Sequence, residues 1–251
     1  MCFIRYFNYF CATFNICSPV STPYFRFKRF TIHHDRCAMK VGTDGVLLGA
    51  WAKVCGKRIL DIGTGTGLVA LMAAQRCEEA QIVGVEIDEK AALQAQENVN
   101  NSPYASCVNI VNADIRELKM EPFDCILCNP PFFTEDTLPE DASRALARNA
   151  SVLDADALLA SVNRLLSNEG YFSVILPYSA YKYFVSTAFI RRFYLIRQCE
   201  VHTLSHKAPK RVLLTFSRDG QIACTTEKLV LQNPDGSRTK DYEELTNDFY
   251  L

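Results

Sequence analysis

Acidic side chains stand at the ends of three predicted strands, where they could bind a small ligand. Asp61 lies near the end of the first strand, Glu86 closes the second, and Asp114 follows the third with Ile115 beside it. A carboxylate placed like Glu86 can accept both hydroxyls of an unphosphorylated ribose, and one placed like Asp114 can accept from an adenine amino group. Because carboxyl ends of parallel strands meet at one sheet edge, these positions predict an adenosine-bearing ligand.

A glycine-rich turn follows the first of these strands and opens a helix. Its residues are Gly63, Thr64, Gly65, Thr66 and Gly67. Glycine lets the backbone approach a ligand where a Cβ would collide, and the helix N-terminus offers unpaired N–H groups. Asp61, two residues before the turn, could accept from the amino group of a ligand. Leu68 occupies the third small position of the dinucleotide pattern GxGxxG/A, which disfavours a nicotinamide-dependent oxidoreductase.

The tetrapeptide Asn129-Pro130-Pro131-Phe132 ends a fourth buried strand. Two prolines cannot continue a central strand, so the chain must turn out of the sheet here. One interpretation is a rigid loop and nothing more. The other is that the Asn129 side chain and the Pro130 carbonyl accept from one amino group and direct its lone pair at an electrophile, while Phe132 stacks on a planar substrate.

Other residues with reactive side chains are interpreted as structural. Cys125 and Cys128 lie on one strand, where residues three apart face opposite sides of the sheet, and no second cysteine pair completes a zinc site. His33 and His34 are adjacent and point apart in an extended chain. We therefore expect no metal.

The elements that position these residues alternate between strand and helix. Strand patterns cover 58–62, 81–86, 108–112, 123–128 and 171–176, and helical patterns cover 46–53, 68–76, 89–100, 155–166 and 179–192. This alternation predicts an α/β fold with a mostly parallel sheet covered on both faces. Two β-rich runs, 194–203 and 212–218, predict an antiparallel hairpin.

We divide the chain into three parts. Residues 1–22 form an atypical extension, interpreted as an uncleaved segment or as translation from an upstream start. Residues 23–218 form the main domain, and 219–251 form a tail that packs on it.

Composition narrows the class of protein. The chain of 251 residues is 49% hydrophobic and 22% charged, as in ordinary globular proteins. The sequence contains no run of 18 apolar residues, so it predicts no membrane-spanning helix. Eleven cysteines without a disulfide framework favour a reducing cytoplasm. We expect a cytoplasmic monomer.

The motifs DIGTGTG, VEID, ADI and NPPF, in this order, resemble those of S-adenosylmethionine-dependent amino-methyltransferases with a seven-stranded, doubly wound α/β fold. The segment HDRCAMKVGTDGVLLGAW and the ending DFYL are similar, more narrowly, to the tRNA1(Val) (adenine(37)-N6)-methyltransferase family. The resemblance covers the chain from Tyr24 to its end and leaves residues 1–22 outside.

This resemblance implies roles that agree with those argued from the residues. S-adenosyl-L-methionine would be the cofactor, with its methionine part held by Asp61 and the glycine turn, its ribose by Glu86, and its adenine by Asp114 and Ile115. Asn129 and Pro130 would orient N6 of the target adenine, in the anticodon loop of a tRNA, and Phe132 would stack on the base. Asn129 would also belong to the cofactor-binding residues. Thr43 and Asp44 would close the site from the N-terminal side.

Two basic stretches could hold the RNA. Residues 179–218 carry eight lysines and arginines against Glu200, and residues 24–40 carry five against Asp35. Phe25, Phe27 and Phe30 interleave with the second stretch, a pattern typical of a phosphate-binding rim. The alternative is a solvated face balanced by acids elsewhere.

Three other functions stay open. The amine could be a release-factor glutamine or the N2 of a ribosomal RNA guanine, since both present a planar nitrogen to the tetrapeptide. The chain could also be a non-catalytic RNA-binding module that retains the fold, although Asn129 and the intact glycines argue against an idle site.

Overall fold

A computed structural model describes residues 22–37, 40–130 and 153–251, so all but the last residue of the predicted extension lies outside the described residues. Within these ranges the strands are β1 (Tyr24–Arg26), β2 (Thr31–His33), β3 (Arg58–Ile62), β4 (Gln81–Glu86), β5 (Val108–Asn112), β6 (Phe123–Cys128), β7 (Leu166–Pro177), β8 (Tyr194–His202), β9 (Arg211–Ser217) and β10 (Thr225–Val230). The helices are α1 (Thr43–Trp51), α2 (Leu68–Arg76), α3 (Glu89–Asn100), α4 (Ala155–Leu165), α5 (Tyr181–Ile190) and α6 (Lys240–Thr246).

One sheet contains eight of these strands in the order β10-β8-β9-β7-β6-β3-β4-β5. β9 is antiparallel to β7 and β8, and every other neighbouring pair is parallel. The doubly wound α/β sheet and the antiparallel hairpin β8–β9 are confirmed. β10 adds an eighth strand beyond the expected seven, and its Glu227 is bound there by Arg197 of β8 at 2.6 Å and by the Trp51 Nε1 of α1 at 2.8 Å.

Helices cover both faces of the sheet, and each face has its own apolar core. Trp51 and Leu71 of α1 and α2 belong to one core, and Leu159 and Phe184 of α4 and α5 belong to the other. Cys125 lies in the first core and Cys128 in the second, so this pair faces opposite sides of β6, as expected from its spacing.

Parallel strands give the sheet two functionally different edges. The carboxyl edge receives the loops after β3, β4, β5, β6 and β7 and the β8–β9 loop (residues 203–210), while the amino edge receives the loops that lead into those strands. α1 begins at Thr43, three residues before the predicted helix, because extended Gly42 caps it and Asp44 lies favourably in its first turn. Thr43 and Asp44 are thereby helical residues.

The N-terminal hairpin β1–β2 corrects one expectation from the sequence. Phe27 is 1% exposed and Phe30 is 5% exposed, and the Phe27 ring stacks on Tyr250 at 6.0 Å between centroids. These aromatic rings join the hairpin to the C-terminal segment and cannot stack on bases. Their alternation with basic residues reflects a strand pattern with one buried face. Within the described residues, no helix is long and apolar enough to cross a bilayer.

Candidate active site

A cavity of about 580 Å³ opens at the carboxyl edge, over the ends of β3, β4 and β6. It brings together most of the residues that the sequence singled out: Thr43, Asp44, Asp61, Gly63, Thr64, Gly65, Glu86, Asp114, Ile115 and Asn129. Gly67 and Pro130 are outside the cavity lining, and Phe132 lies outside the described residues.

The glycine turn combines a left-handed backbone, which glycine adopts without strain, with open space. Gly63 has a φ of 68°, and a Cβ built on it would meet nothing within 4 Å. The backbone N–H groups of Gly63 and Thr64 both donate to the Val85 carbonyl of β4, which fixes the turn on the sheet. Gly67, at φ 82°, instead caps α2 and packs against Ala95 of α3. The first part of the turn therefore faces the cavity, and the last part serves the fold.

Asp61 is 2% exposed and is tied to the start of α2. Its Oδ2 accepts from the Thr64 hydroxyl at 2.6 Å and from the Ala70 backbone N–H at 3.1 Å. Burial raises the pKa of Asp61 to about 7, although both hydrogen bonds oppose the rise. A carboxyl group poised in this way is favoured as the anion when a cation binds beside it.

Glu86 joins the turn to the next strand end. Its Oε2 accepts from the Gly65 N–H at 2.9 Å, and its Oε1 accepts from the Asp88 N–H at 3.0 Å. Each carboxylate oxygen has a second lone pair, so both can still accept from the two hydroxyls of a ribose.

Asp114 has a partner that the sequence did not indicate. The Arg116 Nε donates to both of its oxygens, at 3.0 and 2.9 Å, and this hydrogen bonding lowers the pKa of Asp114 below its usual range. Asp114 is thus held as an anion that can accept from an amino group. Ile115 is buried beneath it.

Asn129 lies against the first turn of α1. A Cβ built on Gly45 would be 3.9 Å from the Asn129 Nδ2 and 3.1 Å from the Leu68 Cδ2. Asp44, one residue earlier, accepts from the Arg211 Nε of β9 at 2.8 Å. The absence of a side chain at Gly45 lets α1 cover the site closely, and no local sequence signal identified this role.

Sequence reasoning missed an apolar group in the cavity wall, and it left Cys37 out of the site because no base partner for the thiol could be recognised. Ile87 lies directly after Glu86 and remains 55% exposed, a position from which it can pack on a planar ring; its place in the motif VEID is the signal that could have found it. Cys37 also lines the cavity, and burial raises the pKa of its thiol to about 11. Cys37 is therefore a protonated thiol rather than a nucleophile.

The arrangement fits an adenosine that carries a cationic tail. Glu86 and Asp114 offer acceptors, Ile87 offers an apolar surface, and the open space over Gly63 can admit a ligand chain next to Asp61. Asn129 faces the same cavity with an amide, so an amine and the tail can meet there.

Comparisons with known proteins agree with this geometry. Residues 39–173 match the family model described as the methyltransferase small domain. A tRNA1(Val) (adenine(37)-N6)-methyltransferase from Bacteroides thetaiotaomicron is 44% identical over 92% of this chain and 99% of its own. Proteins of the same name from Phocaeicola vulgatus and Escherichia coli O139:H28 are 46% and 42% identical, over 91% and 90% of this chain and 98% and 94% of their own.

Solved structures show the same fold. The crystal structure of a predicted O-methyltransferase from Agrobacterium tumefaciens superposes with a TM-score of 0.65 at 18% identity, covering 82% of this chain and 96% of its own. A ribosomal protein L11 methylase from Lactobacillus delbrueckii subsp. bulgaricus gives a TM-score of 0.54 at 15% identity, covering 75% and 84%. By its sequence identity to these relatives, the chain belongs to the tRNA1(Val) (adenine(37)-N6)-methyltransferase family.

Proposed function

We propose that this protein transfers a methyl group from S-adenosyl-L-methionine to N6 of an adenine in the anticodon loop of tRNA, at position 37 of tRNA1(Val). The observation that carries the proposal is that Asn129, at the end of β6, lines the same cavity as Glu86, Asp114 and the glycine turn. The names of the relatives, over nearly the full length of both chains, support the same substrate.

Different residues of the cavity would contact different parts of the cofactor. Glu86 would accept from the ribose hydroxyls, and Asp114 would accept from the adenine amino group with Ile115 behind the ring. The methionine part would lie over Gly63 and Gly65, near Asp61, with Thr43 and Asp44 on the side of α1. Bound in this way, S-adenosyl-L-methionine supplies a methyl group on a cationic sulfur, which is already a strong electrophile.

Asn129 and Pro130 act on the substrate amine. The Asn129 side-chain oxygen and the Pro130 carbonyl would each accept one N6–H, which localises the nitrogen lone pair toward the methyl group. As the new C–N bond formed, the S–CH3 bond would break to leave a neutral thioether, and N6 would lose one proton to solvent. We retain the prediction that Phe132 stacks on the target base. No side chain has to become a nucleophile, because positioning of amine and methyl group can supply most of the acceleration.

An adenine in a loop suits this site. The target base must leave its stack to reach a cavity at the sheet edge, and an unpaired loop makes that less costly than a duplex.

We also propose that the protein is a cytoplasmic monomer that needs no metal. We propose that its chain has three parts, at 1–22, 23–218 and 219–251. Its described cysteines are free thiols, which supports a reducing compartment.

The test is methyl transfer from labelled S-adenosylmethionine to unmodified tRNA, followed by nucleoside analysis and mapping of the product. We expect N6-methyladenosine in the anticodon loop. Methylated guanosine would move the enzyme to the ribosomal alternative. Absence of RNA labelling, with the cofactor still bound, would favour a release-factor glutamine or a non-catalytic module, and absence of cofactor binding would reject the proposal.

A further inference from the structure

The many cations of the sequence fall into two groups once their partners are known. Several are paired with acids far away in the chain: Arg29 with Glu78, Arg36 with Glu97, Arg191 with Asp156, Arg197 with Glu227 and Arg211 with Asp44. Lys182, Lys207 and Lys210 are exposed, and no described acidic side chain forms an ion pair with them. Neither the net charge of a stretch nor the position of a residue in the sequence tells which cations form ion pairs and which do not.

Lys182, Lys207 and Lys210 share one edge of the sheet. Lys207 and Lys210 lie in the β8–β9 loop, which joins the carboxyl end of β8 to the start of β9, and Lys182 lies at the start of α5, just after β7. β9 is two strands from β6, so at about 4.8 Å per strand the loop lies about 10 Å along the sheet from the strand that carries Asn129. That separation suits nucleotides that flank a base bound at Asn129.

Direct contacts join this loop to the cavity. Arg211 follows Lys210 and donates through its Nε to Asp44 of α1, which lines the cavity. The Lys210 carbonyl accepts from the Tyr178 N–H at 3.1 Å, at the end of β7. The ion pair with Arg211 also compensates the negative charge of Asp44, which would otherwise repel a phosphate nearby.

The backbone of the loop is held while its lysine side chains stay in solvent. The Nδ1–H of His202, which is 6% exposed, donates to the Lys207 carbonyl at 2.7 Å, and the Lys210 N–H donates to the Val201 carbonyl at 2.9 Å. A fixed loop with free ammonium groups is suited to bind anions with little loss of backbone entropy.

We propose that Lys207, Lys210 and Lys182 bind the RNA backbone phosphates next to the target nucleotide, at the carboxyl edge, and that the basic residues of the amino edge do not. The proposal rests on the proposed function and specifies the surface by which its substrate is held. Arg211 belongs to the same stretch but positions Asp44 instead of contacting RNA.

The test compares two double variants of equal charge by fluorescence anisotropy with unmodified tRNA over a range of salt concentrations. Each phosphate contact contributes roughly 0.7 to 0.9 to the slope of log affinity against log salt. We expect Lys207→Gln/Lys210→Gln to reduce that slope by about one per lysine and to weaken binding about tenfold at about 0.1 M salt. The control, Lys57→Gln/Arg192→Gln, carries the same charge change at the amino edge and should bind RNA like the parent enzyme.

Equal slopes for the two double variants, or a larger loss in the control, would overturn the proposal. Calorimetry with S-adenosylmethionine checks that both variants keep a folded cavity. The salt dependence of RNA binding tests the phosphate surface, and analysis of the methylated nucleoside tests the proposed reaction. Either proposal can therefore fail while the other stands. Methylated tRNA together with an unchanged slope would overturn only the phosphate surface. A reduced slope without methylation would support the surface and reject the proposed reaction.

Discussion

The two ends of β3 both turn at a glycine, yet the two turns serve different purposes. Gly56, before the strand, has a φ of 86°, and Gly63, after it, has a φ of 68°. A Cβ on Gly56 would lie 2.3 Å from the Asp124 Cβ, whereas a Cβ on Gly63 would meet nothing within 4 Å. The same residue type thus closes a packed turn at the amino edge and leaves room for a ligand at the carboxyl edge.

At each turn, a carboxylate from a neighbouring strand accepts hydrogen bonds from backbone N–H groups. At the amino edge the Asp124 Oδ2 accepts from the N–H groups of Lys57 and Arg58, at 2.7 and 3.0 Å, and fills the space over Gly56. At the carboxyl edge Glu86 accepts from Gly65 and leaves the space over Gly63 open. A glycine in a turn therefore indicates a ligand site only where the structure shows empty space at the position that its Cβ would occupy.

The largest contrast is expected between two asparagines at opposite edges. Asn129→Ala removes the proposed acceptor for the substrate amine, so methyl transfer to tRNA should fall about 100-fold or more, while the Kd for S-adenosylmethionine stays within about twofold. Asn163→Ala removes the partner of the Arg218 Nη1 at the amino edge and should leave turnover within about twofold. Persistent turnover in Asn129→Ala would show that its assigned role is wrong.

The glycine pair should give opposite outcomes. Gly56→Ala combines left-handed strain with a clash against Asp124, so the free energy of unfolding in urea should fall by about 2 kcal/mol or more with an unchanged Kd for S-adenosylmethionine. Gly63→Ala has strain but no clash, so stability should fall by about 1 kcal/mol while the Kd rises more than about tenfold. If both variants lost only stability, the distinction between the two turns would be wrong.

Two glutamates extend the comparison to side chains. Glu86→Gln keeps one oxygen acceptor but would remove the charge-assisted bonds that we propose to the ribose, so the Kd for S-adenosylmethionine should rise about tenfold. Glu78→Gln breaks the exposed ion pair with Arg29 at the amino edge, and calorimetry should find no change in Kd. Equal affinities for both variants would remove Glu86 from the cofactor site.

The smallest effect concerns the pH dependence of stability. The pKa of Asp61 is about 7 in the folded protein, above the usual value near 3.8, so the folded state binds the extra proton and stability falls as pH rises. Between pH 6 and pH 8 the ligand-free protein should lose about 1 kcal/mol through this group. Asp61→Asn should flatten that decline, as measured by urea unfolding at both pH values. A decline of equal size in Asp61→Asn would assign it to other groups.

Local patterns were sufficient for the sheet and for the strand-end residues. β3, β4, β5 and β6 match the predicted ranges, because buried strands and amphipathic helices differ in period. Parallel strands then force their carboxyl ends to one edge, so Asp61, Glu86, Asp114 and Asn129 could be predicted to lie together, and they do line one cavity. The eighth strand, β10, has a weaker hydrophobic pattern in the sequence, because it lies at the edge of the sheet and only its Leu229 is buried.

The sequence by itself determined the family, the α/β sheet and the residues gathered at its carboxyl edge, because each depends on order and period along the chain. Tertiary structure decided which of these residues are available. Arg36 meets Glu97 and Arg211 meets Asp44 across long stretches of chain, Phe27 is buried against Tyr250, and Gly45 leaves room for Asn129. Pairing and free volume depend on distances between residues remote in sequence, and only the folded chain sets those distances.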